Sequence, residues 1–201
     1  MGITAKQLAS MQARMSGAKR APEAVFQSGL RPGARDEIII GIDPSLRGTG
    51  YGVIQPGKLQ ARALAHGTIA CPAGWERSRC LLRISQTLRE VVAQHRPRVC
   101  AIEGLFYAQN LQTALIMGEA RGAALAALAE AGLEIYEIAP RKVKQAIVGY
   151  GAAQKTAVAK MVQRLLGLAE PPAPDAADAL ALALAYQHEG GRYGLSTLKR
   201  V

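Results

Sequence analysis

The pattern of apolar and polar positions is most distinct near Asp43. Residues 38–42 form a nearly continuous apolar run that ends on this acid, and such a run is typical of a strand covered on both faces. Turn formers and a second apolar run come next: Pro44, Gly48, Gly50 and then 51–54. The pattern therefore predicts a β-hairpin with a carboxylate at the end of its first strand.

The rest of the pattern alternates between strands and helices. It predicts a third strand within 59–70, a helix over 75–95, a strand over 99–102 that leads to Glu103, an alanine-rich helix over 112–131, a strand over 134–138, and helices over 141–147, 155–166 and 175–188. Three antiparallel strands followed by alternating helices and strands predict an α/β fold with a mixed five-stranded sheet and helices on both faces.

The length of 201 residues fits one domain with additions at its ends. Residues 1–37 carry six basic residues against three acids and are interrupted by Gly and Pro. We therefore predict a basic, mobile N-terminal arm there, with a non-structural leader or a later start of translation as further interpretations. A globular domain over 38–188 and a flexible, basic tail over 189–201 complete the predicted organisation.

One side of the helix over 112–131 is lined by small residues at every fourth position: Ala114, Gly118, Gly122 and Ala126. Such a stripe lets another backbone approach closely, and the spacing does not decide between the chain's own sheet and a second subunit. The arginines of the helix over 75–95 also lie largely on one side. That pattern is most often a solvated face, and nucleic-acid contact is the alternative.

Lysine and arginine outnumber acidic residues 25 to 15, which gives a net charge of +10. A basic chain favours a polyanionic partner, but charge alone does not separate nucleic acid from a membrane surface, and solubility is a simpler reason for it. No apolar run reaches the length of a membrane span. The three cysteines include no CxxC pair, so they indicate neither a disulfide framework nor a zinc site and favour a cytoplasmic location.

Three of the four aspartates stand in or beside apolar segments of this basic chain. Asp43 and Glu103 end predicted strands, and Asp175 and Asp178 are three apart on one face of the last helix. Asp43 also has a local interpretation as a turn cap, and Asp175 has one as a helix cap. Asp178 has no such interpretation, because it lies where the helix turns apolar.

If the two strands are neighbours, four carboxylates meet at one place and cannot all ionise unaided. Hard divalent cations resolve this repulsion, because Mg²⁺ prefers oxygen ligands. Two such ions would support the hydrolysis of a phosphodiester. The predicted cofactor is therefore Mg²⁺, with two ions per active site and Mn²⁺ as a substitute.

Four segments carry these candidates, in this order: IIIGIDPSLRGTGYGVI, AIEGLFYAQN, APRKVKQAIVGYGAAQKTAV and PDAADALALA. Together they resemble the RuvC family of Holliday junction resolvases, which have a ribonuclease H-like fold. The similarity covers residues 38–188. The family's catalytic, metal-binding acids fall on Asp43, Glu103, Asp175 and Asp178. Its basic residues near the scissile phosphate fall on Lys144 and Lys155, and its junction aromatic falls on Phe106.

The chain departs from the family pattern at Ser45 and Leu46, where the family commonly has Gly and Ser, and residues 1–37 have no counterpart. The accessory residues also have plainer interpretations. Lys144 and Lys155 could equally be ordinary exposed lysines on helices. Phe106 could equally be a residue of the core.

The resemblance implies a Mg²⁺-dependent endonuclease that nicks two strands of a four-way DNA junction during recombination and repair. A junction of near two-fold symmetry needs two equivalent active sites, so a homodimer is expected. Cooperation with a branch-migration helicase is implied by the resemblance alone.

Three other functions stay open from the residues. Another ribonuclease H-like nuclease, such as a transposase or an RNA:DNA hybrid nuclease, would share the acids but not the segment KVKQAIVGYGAAQK. A nucleotide-binding domain of the actin and sugar-kinase type begins with a similar hairpin, but it needs a second domain for which 201 residues leave no room. A junction-binding module without catalysis is opposed by the presence of all four acids.

Overall fold

The computed structural model describes residues 37–104, 110–192 and 198–201. The strands and helices in this part of the chain are β1 (Ile39–Asp43), β2 (Gly48–Gln55), β3 (Arg62–Ala70), α1 (Arg77–His95), β4 (Val99–Glu103), α2 (Leu111–Glu130), β5 (Glu134–Ile138), α3 (Pro140–Val148), α4 (Lys155–Leu166), α5 (Pro174–Arg192) and β6 (Lys199–Arg200). The predicted elements are all present, with shifts of a few residues at their ends. In this part of the chain no helix combines the length and the apolar character that crossing a membrane requires.

The strands form one sheet in the order β3-β2-β1-β4-β5-β6. β1, β2 and β3 are antiparallel neighbours, β4 pairs in parallel with both β1 and β5, and β6 is antiparallel to β5. The predicted mixed sheet is confirmed. The count of five strands needs a correction, because β6 adds a sixth.

Strand β6 has only two residues, and both are charged. It carries no apolar alternation, so the sequence pattern gave no sign of it. It lies within the segment 189–201, whose predicted flexibility stays a prediction.

Helices cover both faces of the sheet, as predicted. Ile40 and Ile42 of β1 belong to the core formed with α1 and α2, whereas Ile39 belongs to the core formed with α3, α4 and α5. Successive side chains of a strand point to opposite faces. Because both faces of β1 are buried, its apolar run is continuous.

Helix α5 lies very close to β1 and β2 because glycines of the hairpin face it. A methyl group added at Gly41 would overlap the carbonyl oxygen of Ala179, and one added at Gly50 would overlap that of Asp175. A larger residue at either glycine would push the helix away from the sheet. These close contacts hold the first turn of α5 beside the end of β1.

The small residues of α2 face away from the sheet. Gly118, Gly122 and Ala126 are exposed, and among the described residues no atom lies within 4 Å of a methyl group added at either glycine. The sheet-facing side of α2 carries other residues, among them Ala120 and Ala124. The stripe therefore does not serve close packing against the chain's own sheet.

Candidate active site

Asp43 and Glu103 are the last residues of β1 and β4. These strands are parallel neighbours, and Ile42 pairs with Ile102 one residue earlier. The two acids therefore leave the same edge of the sheet side by side, and their carboxyl groups are joined by a hydrogen bond. The sequence predicted that these two acids lie close together if their strands are neighbours. The structure shows that the strands are neighbours and that the acids are close.

Burial and mutual repulsion shift the proton affinity of this pair. The pKa of Asp43 is raised from 3.8 to about 8, first by burial and then by the charge of Glu103 and the hydrogen bond to it; Asp178 adds to the shift. Burial also raises the pKa of Glu103. The pair therefore shares a proton at neutral pH, which lowers its charge where no cation is near.

The turn after Asp43 is closed by Thr49, which is fully buried. Its hydroxyl donates to the carbonyl oxygen of Ser45 at 2.5 Å and accepts from the amide of Ser45 at 3.2 Å. These two bonds satisfy both backbone groups of Ser45 and hold the turn despite its departure from the family pattern at that position. We did not predict this role for Thr49; a Thr four residues after a Ser in a tight hairpin is a weak signal.

The N-terminal end of α5 brings Asp178 to the same end of the sheet. Its Oδ2 lies 2.6 Å from Nζ of Lys155, the first residue of α4. Its charge is also close enough to raise the pKa values of Asp43 and Glu103. Asp178 therefore belongs to one electrostatic group with the two strand acids.

Asp175 occupies a neighbouring position on the hairpin side. Its backbone lies against Gly50, the residue that pairs with Asp43. Its Oδ2 points toward Gly48, where it would lie 2.9 Å from an added methyl group. The helix thus carries Asp175 to the edge where Asp43 ends its strand.

The two predicted lysines lie near the acids. The hydrogen bond that Lys155 donates to Asp178, followed by the charges of Asp178, Asp43 and Glu103, raises the pKa of Lys155 against the opposing effect of partial burial. Lys144, on α3, lies close enough to Glu103 to lower the pKa of that acid. Phe106 lies outside the described residues, so its role stays a prediction.

The carboxylate oxygens at this edge of the sheet suit a hard cation, although the described side chains do not converge on one point as they do in an assembled metal site. Among the described residues, no three side chains of His, Cys, Asp or Glu form a group that could hold a metal ion. A hydrogen bond joins the carboxyl groups of Asp43 and Glu103, and Nζ of Lys155 lies 2.6 Å from Oδ2 of Asp178. Carboxylate oxygens, which here attract a proton and an ammonium group, are also the ligands that Mg²⁺ prefers.

The raised pKa of Asp43 predicts a stability that depends on pH. The folded protein keeps a proton on Asp43 that the unfolded chain releases near pH 3.8, so stability falls as pH rises from 3.8 to about 8. Asp43→Asn should therefore raise the Tm of the protein in EDTA at pH 8 by a few degrees, since about 1 kcal/mol shifts Tm by about 2–4 °C in a chain of this size. Calorimetry at pH 8 and pH 5 measures this, and the gain should shrink at pH 5. An equal gain at both pH values would contradict the shift.

The fold and the acids define the class of the protein. A mixed sheet with helices on both faces, acids at the ends of β1 and β4, and two further acids on a helix packed across them is the arrangement of a nuclease with a ribonuclease H-like fold. The family model described as crossover junction endodeoxyribonuclease RuvC matches residues 39–186. The chain belongs to this family.

Individual relatives agree with the family match. The chain is 48% identical to the crossover junction endodeoxyribonuclease RuvC of Akkermansia muciniphila over 148 residues, which are 74% of this chain and 89% of the relative. It is 48% identical to the RuvC of Halorhodospira halophila over 150 residues, which are 75% and 89% of the two chains. The structure of Thermus thermophilus RuvC in complex with a Holliday junction substrate is similar with a TM-score of 0.75 and 36% identity, and the match covers 82% of this chain and 99% of that one.

Proposed function

We propose that this chain resolves four-way DNA junctions by paired, Mg²⁺-dependent hydrolysis of phosphodiester bonds in recombination and repair. The observation that carries the proposal is the group formed by Asp43, Glu103 and Asp178 with Lys155, at the edge of a sheet of the family's fold. The Holliday junction bound by the Thermus thermophilus relative supports four-way DNA as the substrate.

Asp43, Glu103, Asp175 and Asp178 would hold two Mg²⁺ ions, and Mn²⁺ is the expected substitute. When bound there, the cations supply positive charge that activates a water molecule and stabilises the leaving oxygen of the phosphodiester. The strand acids are placed by the register of β1 and β4, and the helix acids by the packing of α5 on the hairpin glycines. Asp43 and Glu103 would release the proton that they share in order to serve as ligands.

Several basic residues near this edge would hold the DNA backbone. Lys144 lies on α3, where Arg141 and Lys142 are exposed and no acid is present. Lysines and arginines on such a surface neutralise phosphates and position the duplex without reading its sequence. Phe106 remains the proposed aromatic contact at the junction. A branch-migration helicase as partner and a cytoplasmic location complete the proposal and rest on the family resemblance.

We propose a homodimer that uses the outer face of α2. This face is exposed and uncharged over the whole helix, with Leu111 76% and Leu115 58% exposed near its start. Its other exposed members are small: Gly118, Gly122, Ala126 and Ala129. The two acids of α2 face α1 instead, where they pair with Arg77 and Arg89. A continuous apolar face of this kind favours burial against a partner, and a second copy of the chain supplies the second active site.

Gly118→Leu should convert this dimer to a monomer without harming the fold. No described atom of the chain lies within 4 Å of a methyl group added at Gly118, and replacing Gly in a helix gains roughly 0.8 kcal/mol of helix propensity. A Leu between two closely packed helices would hold them apart and weaken the dimer by about 10- to 100-fold.

Sedimentation equilibrium measures the association and thermal melting measures the fold. Gln94→Leu, at an exposed position of α1, is the control for adding a Leu to the surface and should leave the dimer intact. A folded Gly118→Leu variant that associates as tightly as the wild type would move the interface to another surface.

The activity is tested by incubating the protein and Mg²⁺ with a mobile four-way junction, a linear duplex of the same sequence and an RNA:DNA hybrid. We expect paired, symmetric nicks in the junction and little cutting of the other two substrates. Preferred cutting of the hybrid would favour a hybrid nuclease, and cutting of the linear duplex would favour a transposase-like enzyme. Tight junction binding without nicks at any concentration of Mg²⁺ or Mn²⁺ would favour a junction-binding module without catalysis.

A further inference from the structure

Arg121 lies in the middle of α2, on the side of the helix that faces the sheet. Only 8% of it is exposed, and the residues that share this side of α2 are apolar: Ala120, Ala124, Ala127 and Leu128. A buried guanidinium loses its hydration, and it is tolerated only where it is paired and hydrogen-bonded. The partners of Arg121 therefore indicate why a charge stands in this position.

Arg121 joins the ends of two neighbouring strands. Its Nη1 donates to the carbonyl oxygen of Glu103 at 2.9 Å, and its Nη2 donates to Oε2 of Glu137 on β5 in a short contact. Lys199 of β6 lies 3.3 Å from the other carboxylate oxygen of Glu137. The planar fork of Arg can serve two acceptors at once, whereas a single ammonium has no such fixed geometry.

The bond to Glu103 bears on the direction of its side chain. The carbonyl oxygen of Glu103 accepts from Arg121, and the amide of Gly104 donates to the carbonyl oxygen of Ile138 at 3.0 Å. These two groups belong to one planar peptide unit, so the unit is held at both ends. The ψ angle of Glu103 is fixed as a result, at the point where β4 ends, and with it the direction in which its carboxyl group leaves the strand toward Asp43.

We propose that Arg121 is a positioning residue for cleavage, which holds the end of β4 so that Glu103 meets Asp43. The inference rests on the proposed function, because it assigns Glu103 to the reaction. The two arms of the guanidinium have separable roles. The arm on Glu137 offsets the buried charge, and the arm on Glu103 orients the acid. A residue with only a structural role would change the stability of the protein but not its affinity for divalent cations.

The double variant Arg121→Met/Glu137→Gln separates positioning from stability. It removes both charges of the pair together, so that neither is left buried alone. Glu137→Gln keeps Arg121 on Glu103, and Arg89→Met removes an exposed ion pair between α1 and Glu130 of α2. These two single variants are the matched controls, and both should retain cleavage within about three-fold of the wild type.

Three properties of the double variant are measured beside the controls. We expect a Tm close to that of the wild type and junction binding in EDTA within about three-fold. Single-turnover cleavage at low Mg²⁺ should be about 10- to 100-fold slower, because displacements on the order of 1 Å cost about this much, and it should recover partly as Mg²⁺ is raised. The affinity of the DNA-free protein for Mn²⁺, measured by electron paramagnetic resonance, should fall about ten-fold.

Wild-type cleavage and wild-type Mn²⁺ affinity in the double variant would overturn the positioning role. If the double variant does not fold, Arg121→Lys decides, because it keeps a positive charge beside Glu137 but lacks the planar fork that serves both acceptors in fixed directions; unchanged cleavage and Mn²⁺ affinity there would equally overturn the positioning role. Failure of the wild type to nick a junction would reject the proposed function instead. The Mn²⁺ affinities would still show whether Arg121 orients Glu103.

Discussion

Asp43→Asn is expected to reduce junction cleavage by on the order of 10³-fold or more and to leave junction binding within about three-fold. Asp43 ends β1 at the centre of the acidic group, where burial and Glu103 raise its pKa to about 8. Asn has nearly the same shape and can hydrogen-bond to Glu103, but it cannot carry the negative charge that holds a cation. The proposed DNA contacts lie on the basic surface, which the substitution does not touch.

The rate is measured with a labelled four-way junction and excess protein in Mg²⁺, and binding is measured in EDTA by electrophoretic mobility. Glu130→Gln, which removes an exposed carboxylate at the far end of α2, is the matched control and should cut normally. EDTA should stop the wild type as completely as the substitution does. Substantial cleavage by Asp43→Asn in Mg²⁺ would remove Asp43 from the catalytic group. This variant is also expected to melt at a higher temperature at pH 8, and its melting curve distinguishes a loss of catalysis from a loss of folding.

The sequence predicted five of the six strands, β1 to β5, and the strand acids because both depend on local pattern. An apolar run that ends on an acid marks the end of a buried strand, and β1 and β4 follow this rule. Asp178 could be singled out because an acid within an apolar helical pattern is costly without a partner. The partner itself, Lys155, lies 23 residues earlier in the chain, and only the folded structure brings the two together.

Other parts of the site depend on contacts that the sequence pattern does not express. From the sequence, Gly41 and Gly50 are ordinary glycines of a strand or turn. In the structure they allow the backbone of α5 to approach the hairpin closely. The choice between the sheet and a second subunit for the stripe of α2 required knowing which side of that helix faces the sheet. Arg121 had a usable signal, because it is the one basic residue in an alanine-rich helix. Nothing in the sequence pattern indicated its acceptors on β4 and β5.

Lys155→Ala is expected to slow cleavage by about 10²- to 10³-fold while leaving the salt dependence of junction binding unchanged. The Lys155 ammonium already lies 2.6 Å from Asp178, and its charge lowers the pKa of Asp43. We therefore expect it to stabilise the charges of the acids rather than to contact a distant phosphate. Without it the pKa of Asp43 rises further, so the rate of the variant should reach its plateau at a higher pH than that of the wild type.

Binding is measured in EDTA over a series of salt concentrations, and each phosphate contact that is lost lowers the log-log slope by about one. Lys160→Ala removes an exposed lysine of the same helix and is the control for the change in net charge. Lys144→Ala, on the basic helix α3, should bind more weakly with a shallower slope. If Lys155→Ala instead shows weaker binding, a shallower slope and an unshifted pH profile, then Lys155 is a phosphate contact and its bond to Asp178 has no part in the reaction. If it matches Lys160→Ala in every measurement, it is an ordinary surface lysine.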